Sequence, residues 1–178
     1  MKHQSNKKGF TLVEAMVAIS ILSLAVTGPL LIAQKGLSSA IYAKDQITAF
    51  YLAQEAIEYV RNARDTNRIT GASWLNGLSS CLINTGSEAC EIDARKTDFL
   101  SSGAIQSCTG GVCDKLSYDS SSGLYGYGIG SPTKFTRTVT IDNRASSKEA
   151  KLSVTIAWNT NLFLPTRTFT VQETIFNF

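Results

Sequence analysis

An apolar run from Phe10 to Ala33, interrupted by the single acid Glu14, constrains this chain more than any other feature. It is long enough to cross a bilayer, which takes about 20 residues as a helix. A carboxylate near the centre of such a helix costs about 2.5–3.5 kcal/mol, so one retained there marks function by default. Lys2, Lys7 and Lys8 precede the run, which holds the start on the cytoplasmic side and sends the remainder outward. A secretory signal peptide would have a shorter apolar core and a small-x-small cut site. A plain anchor would fit the length. Neither accounts for Glu14. Cleavage between Gly9 and Phe10 would account for it. The new amine at Phe10 would sit at the helix start with Glu14 one turn along. That carboxylate could then meet the amine of a neighbouring subunit.

The totals exclude several classes. Hydrophobic residues make up 43% of the 178 and charged ones 17%, a balance that folds, as one domain with an appended element. The net charge of +3 comes from the start of the chain: 17 Lys+Arg less Lys2, Lys7 and Lys8 leaves 14, equal to the 14 Asp+Glu. Generic nucleic-acid binding by net charge is disfavoured. The one histidine, His3, lies in the same leader, so a cleaved chain could build neither a catalytic triad nor a His-ligated metal site. Cys81, Cys90, Cys108 and Cys113 form an even set in the exported part, which predicts disulfides. Three pairings can be drawn, and Cys81–Cys90 with Cys108–Cys113 closes the shortest loops. The spacings depart from the close pairs of zinc sites.

The string Lys7-Lys8-Gly9-Phe10-Thr11-Leu12-Val13-Glu14 resembles the class III leader of type IV pilins and type II secretion pseudopilins. The resemblance implies a prepilin peptidase that cuts after Gly9 and methylates the amine of Phe10, with Glu14 registering each subunit against the next. It implies other pilin subunits and an inner-membrane assembly machinery as partners, residence in the inner membrane, and then a place in an extracellular or periplasmic filament. Gly28 and Pro29 fall where related pilins break the helix, and a proline there removes a backbone hydrogen bond. The stretch Ala49 to Asp65 is similar to the helix ends of minor pilins and pseudopilins of the I/V type.

Beyond Lys35 the helical period continues. Ile47, Phe50, Ile57 and Val60, with Ala43, Ala53 and Ala56 beside them, predict an amphipathic stripe. Phe10 to Arg64 would extend roughly 80 Å if helical throughout. Residues 66–115 are rich in Gly, Ser, Thr and Asn, hold all four cysteines, and read as a loop region with short elements. From 116 to 178 the period is two. A hairpin at LSYD and LYGYG precedes strands in which Phe135, Arg137, Val139 and Ile141, then Leu152, Val154, Ile156 and Trp158, then Phe169, Val171 and Ile175 share faces. Polar linkers at 142–149 and 159–167 separate them. Segments 1–9, 10–33, 34–65, 66–115 and 116–178 thus divide the chain into leader, membrane helix, amphipathic helix, loop region and sheet. The fold class is α+β, a long N-terminal α-helix packed against an antiparallel β-sheet, as in pilins.

Other chemistry is not encoded. Phosphate-loop, nucleophile-elbow and paired-carboxylate motifs are missing from the sequence, and the glycines of Gly126-Tyr127-Gly128-Ile129-Gly130 lack a βαβ context. No catalytic residue, metal or cofactor is expected. Glu88, Glu91, Asp93 and Asp98 read as a solvated face, and Trp158 and the terminal phenylalanines as core. Arg61, Arg64 and Arg68, and Lys134, Arg137, Arg144, Lys148 and Lys151, are the only candidates for DNA phosphate contact. The expected function is a minor pilin. A secretion pseudopilin and a tip adhesin or DNA receptor using 66–115 are the alternatives, and a membrane-anchored hydrolase is remote.

Overall fold

A computed structural model of the full chain describes residues 9–83, 89–143, 148–159 and 165–178. Lys2, His3, Lys7, Lys8, Glu88 and Arg144 lie outside the described residues. The chain divides into two compact units, Met1–Asp45 and Gln46–Phe178. One α-helix, α1 (Leu12–Ile69), runs through both. Pro29 does not end it: the helix continues without interruption on either side. At Gly28-Pro29 the helix runs without interruption and lacks the one hydrogen bond Pro29 cannot donate.

In the second unit, Ala49, Leu52, Ala53, Ala56, Ile57, Tyr59, Val60 and Ala63 of α1 are buried. Their spacing of three and four residues defines one helical face. Ala43, Ile47 and Phe50 lie off it and are exposed, so the stripe expected from the sequence is rotated and starts later. Four of its eight members are alanines. Small side chains let a sheet approach a helix closely, while Leu52, Ile57, Tyr59 and Val60 supply the bulk of the face.

The sheet has seven antiparallel strands: β1 (Cys90–Ile92), β2 (Ile105–Ser107), β3 (Lys115–Asp119), β4 (Leu124–Gly126), β5 (Ser131–Asp142), β6 (Glu149–Trp158) and β7 (Arg167–Phe176). β5 is the spine. One edge pairs with β6 from Phe135 to Asp142, and the other is divided between β3, from Ser131 to Thr136, and β1, at Val139. β6 pairs in unbroken register with β7. Phe135, Val139, Ile141, Leu152, Val154, Ile156, Trp158 and Ile175 point into the core with the buried face of α1, while threonines fill the opposite face. Trp158 is core as expected. Phe176 and Phe178 are exposed, and the Phe178 ring instead lies under the Arg64 guanidinium, 5.1 Å from its centroid.

The region before β3 is more ordered than its composition suggested. A 3-10 turn (Ser79–Cys81), β1 and β2 are built into it, and disulfides join Cys81 to Cys90 and Cys108 to Cys113. Trp74, Leu75, Leu78 and Phe99 from this region enter the same core as α1 and the sheet. Asp93 is buried rather than solvated. Arg95 donates from Nε to one of its carboxylate oxygens at 2.9 Å and from a terminal nitrogen to the other at 2.7 Å. Arg95 also donates to the Tyr127 carbonyl. Its guanidinium fills the space that any side chain at Gly126 would need, and Gly128 and Gly130 have positive φ of 81° and 103° that favour glycine.

Candidate functional site

The first helical turn is set by its own side chains. Thr11 precedes α1, and the Glu14 backbone N–H donates to its hydroxyl at 3.3 Å, while Ala15 N–H reaches the Thr11 carbonyl at 3.1 Å. Thr11-Leu12-Val13-Glu14 has the spacing of a capping box, in which a threonine caps the third residue's amide and a Glu or Gln stands at that third position. Sequence reading for charge alone passed over this signal. Glu14 therefore stands in the first turn, where the helix dipole favours a negative charge. Its side chain is exposed, and Phe10 is 80% exposed.

Around Glu14 the helix is apolar and unburied on every side. Leu12, Val13, Met16, Val17, Ile19, Leu22, Leu24, Val26, Leu30 and Ile32 are all exposed. α1 is long and apolar enough in this part to cross a membrane, by length and composition. The polar residues within it are internally satisfied. Ser20, Ser23 and Thr27 hydroxyls donate to the carbonyls of Met16, Ile19 and Ser23 at 2.7–2.8 Å. Side chains bonded back to the preceding turn leave no hydroxyl proton facing lipid. Glu14 is the one acidic or basic side chain between Phe10 and Ala33.

Gly9, Phe10 and Glu14 thus lie together at the helix start, with Gly28 and Pro29 further along α1. A Cβ built at Gly9 or Gly28 would meet nothing within 4 Å. The chain's own packing does not require glycine at either place, so any requirement for Gly9 comes from another molecule.

The remaining candidates contribute to the fold. Glu91 and the sulfurs of Cys108 and Cys113 have ligand atoms within 4.8 Å of one another. Those sulfurs are joined in a disulfide, so no thiolate is offered to a metal. Burial pushes the Glu91 carboxyl above its ordinary range, against the Asp114 N–H it accepts. The proposed DNA contacts are largely engaged. Arg61 pairs with Glu173 at 2.6 Å and with Glu58, and Arg64 pairs with Asp65 at 2.7 Å. Arg137 is 0% exposed and belongs to the core, which removes it from the basic surface.

Residues 4–28 match the family model described as the prokaryotic N-terminal methylation motif. No curated protein and no solved structure gives a significant match to the chain. The chain carries a prepilin-type N-terminal methylation motif, and its long N-terminal helix with an antiparallel sheet fits a type IV pilin-like fold.

Proposed function

We propose that the chain is a minor subunit of a type IV pilus-like filament, cut by prepilin peptidase between Gly9 and Phe10 and methylated on the Phe10 amine. Subunits of the pilin type are usually structural rather than catalytic. The observation that carries the reading is an exposed acid in the first turn of a helix otherwise apolar on all sides. Leaving lipid for a bundle of helices gains little hydrophobic energy, because lipid tails are as apolar as leucine. Packing and polar pairing must therefore drive assembly. Glu14 is costly to hold in lipid alone. It becomes favourable when it meets the positive N-terminal amine of a neighbour in a dry environment.

The capping geometry permits a sharp test. A Glu or a Gln can complete a capping box, but only Glu carries charge. Glu14→Gln and Glu14→Ala would be expressed in cells with a prepilin peptidase. Processing would be followed by intact mass and incorporation by the yield in sheared filaments. Both variants are expected to mature at N-methylated Phe10 and to enter filaments poorly. Wild-type incorporation of Glu14→Gln would show that charge does not register the subunit and that Glu14 is only a helix cap. A mature start other than Phe10 would overturn the processing step.

A further inference from the structure

A groove of about 260 Å³ lies between the sheet-packed part of α1 and the β3–β4 hairpin, lined by Thr48, Tyr51, Leu52, Glu55, Leu124 and Tyr125, with Gly123 at its edge. It is smaller than the pockets that enclose drug-sized ligands and suits one side chain. Its lining combines apolar walls with a single ionisable acid and no base. Glu55 gives one carboxylate oxygen, Oε2, to Arg137 at 2.6 Å. Its second oxygen has no partner among the described residues, nor do the hydroxyls of Tyr51 and Tyr125. The Tyr51 side chain is wide open to solvent, at 63% exposure for the residue. Arg137 is fully buried and donates to Glu55 and to the carbonyls of Leu52 and Ile92. Its pair with Glu55 is net neutral, so a cation in the groove is held by the unpaired acceptor oxygens and the rings rather than by an excess of negative charge.

An alkylammonium matches this set. It brings three N–H donors and no acceptor, on a flexible apolar stem. The acceptors on offer are one carboxylate oxygen and two phenol oxygens, beside aromatic rings that attract cations and a leucine wall for the stem. We propose that the groove takes the ammonium end of a lysine side chain presented by a partner protein. This site is separate from the N-terminal segment and does not depend on the filament reading.

The test uses the full chain in detergent micelles with labelled leucine methyls and tyrosine rings. It is titrated with Nα-acetyl-lysine amide and, in parallel, with Nα-acetyl-norleucine amide, which keeps the stem and lacks the charge. The lysine compound is expected to shift the Leu124 and Tyr125 signals saturably, and the norleucine compound to leave them unmoved at the same concentration. Tyr51→Ala removes an exposed ring and is expected to weaken lysine binding about tenfold with the other signals in place. Glu55 is not varied, because its loss would strand the buried Arg137. Equal shifts by norleucine, no saturable shift by lysine, or undiminished binding to Tyr51→Ala would each overturn the proposal.

Discussion

Arg137 sits at the centre of the sheet with its charge out of water, and its partners come from two other elements. It donates to the Leu52 carbonyl at 3.0 Å and the Glu55 carboxylate at 2.6 Å on α1, and to the Ile92 carbonyl on β1. Removing one partner of a buried pair costs about 3–5 kcal/mol, whereas an apolar replacement of the buried charge is often tolerated. Glu55→Ala should therefore destabilise the fold more than Arg137→Met, as read from denaturant midpoints. The reverse order would mean that the arginine's carbonyl contacts outweigh its charge pairing. Asp93 gives a second residue-scale prediction. Burial raises its carboxyl, but the Arg95 hydrogen bonds and charge outweigh burial and hold it below the usual range. A carboxyl with a depressed folded value adds stability that is complete above its unfolded value of about 3.9. That stability is lost as pH falls through the folded value. The melting temperature should drop on acidification below about pH 4, and Asp93→Asn should be less stable at neutral pH with a shallower acid fall. An unchanged acid profile in Asp93→Asn would show that other carboxyls govern it.

At the scale of elements, half of the helix face that meets the sheet is alanine, and that determines which changes it tolerates at those positions. Ala53 and Ala56 are fully buried against the sheet, while Ala43 is exposed. Ala56→Leu adds volume to a close-packed face and is expected to cost about 1–3 kcal/mol. Ala43→Leu should stay within about 0.5 kcal/mol. Comparable effects on the melting temperature would place the contact face elsewhere. The same alanines explain why the stripe was misplaced in the sequence. Ile47 and Phe50 advertise hydrophobicity that the fold leaves outside, whereas Ala49, Ala56 and Ala63 are buried without advertising it. The strands were legible for the opposite reason. In β5 and β6 every second residue from Phe135 to Ile141 and from Leu152 to Trp158 is buried, so the pattern is local and strong, and even Arg137 kept its place in it. β1 and β2 were not legible, being three residues each and held by pairing and by disulfides. The Asp93–Arg95 clamp over Gly126 joins residues some thirty apart, a proximity no local pattern encodes. The N-terminal motif is legible because it is contiguous in sequence, and the cap by Thr11 lies within the same string.

The whole molecule divides its two kinds of apolar surface by sequence position. Every buried apolar side chain among the described residues lies at Ala49 or beyond, and the largest run of exposed ones lies between Phe10 and Ile41. The first group is what an aqueous fold needs, and the second is what lipid or neighbouring helices must cover. Both disulfides belong to the second unit. The Cys81–Cys90 link, nine residues apart, ties the 3-10 turn to β1 inside the main core and should contribute roughly 2–3 kcal/mol by restricting the unfolded chain. Cys108–Cys113 closes a smaller loop and packs with Ala89 apart from that core. A chain reduced to residues 46–178 therefore keeps the helix face, the sheet and both disulfides, and loses the exposed apolar surface between Phe10 and Ile41. It is expected to be monomeric in water without detergent and to melt cooperatively. The Cys81→Ser/Cys90→Ser pair should lower its midpoint more than the Cys108→Ser/Cys113→Ser pair does. Circular dichroism melts with sedimentation velocity provide the check. A truncated chain that aggregates, or melts without cooperativity, would show that the first 45 residues are part of the folding unit. Their exposed apolar surface would then serve the fold as well as the membrane.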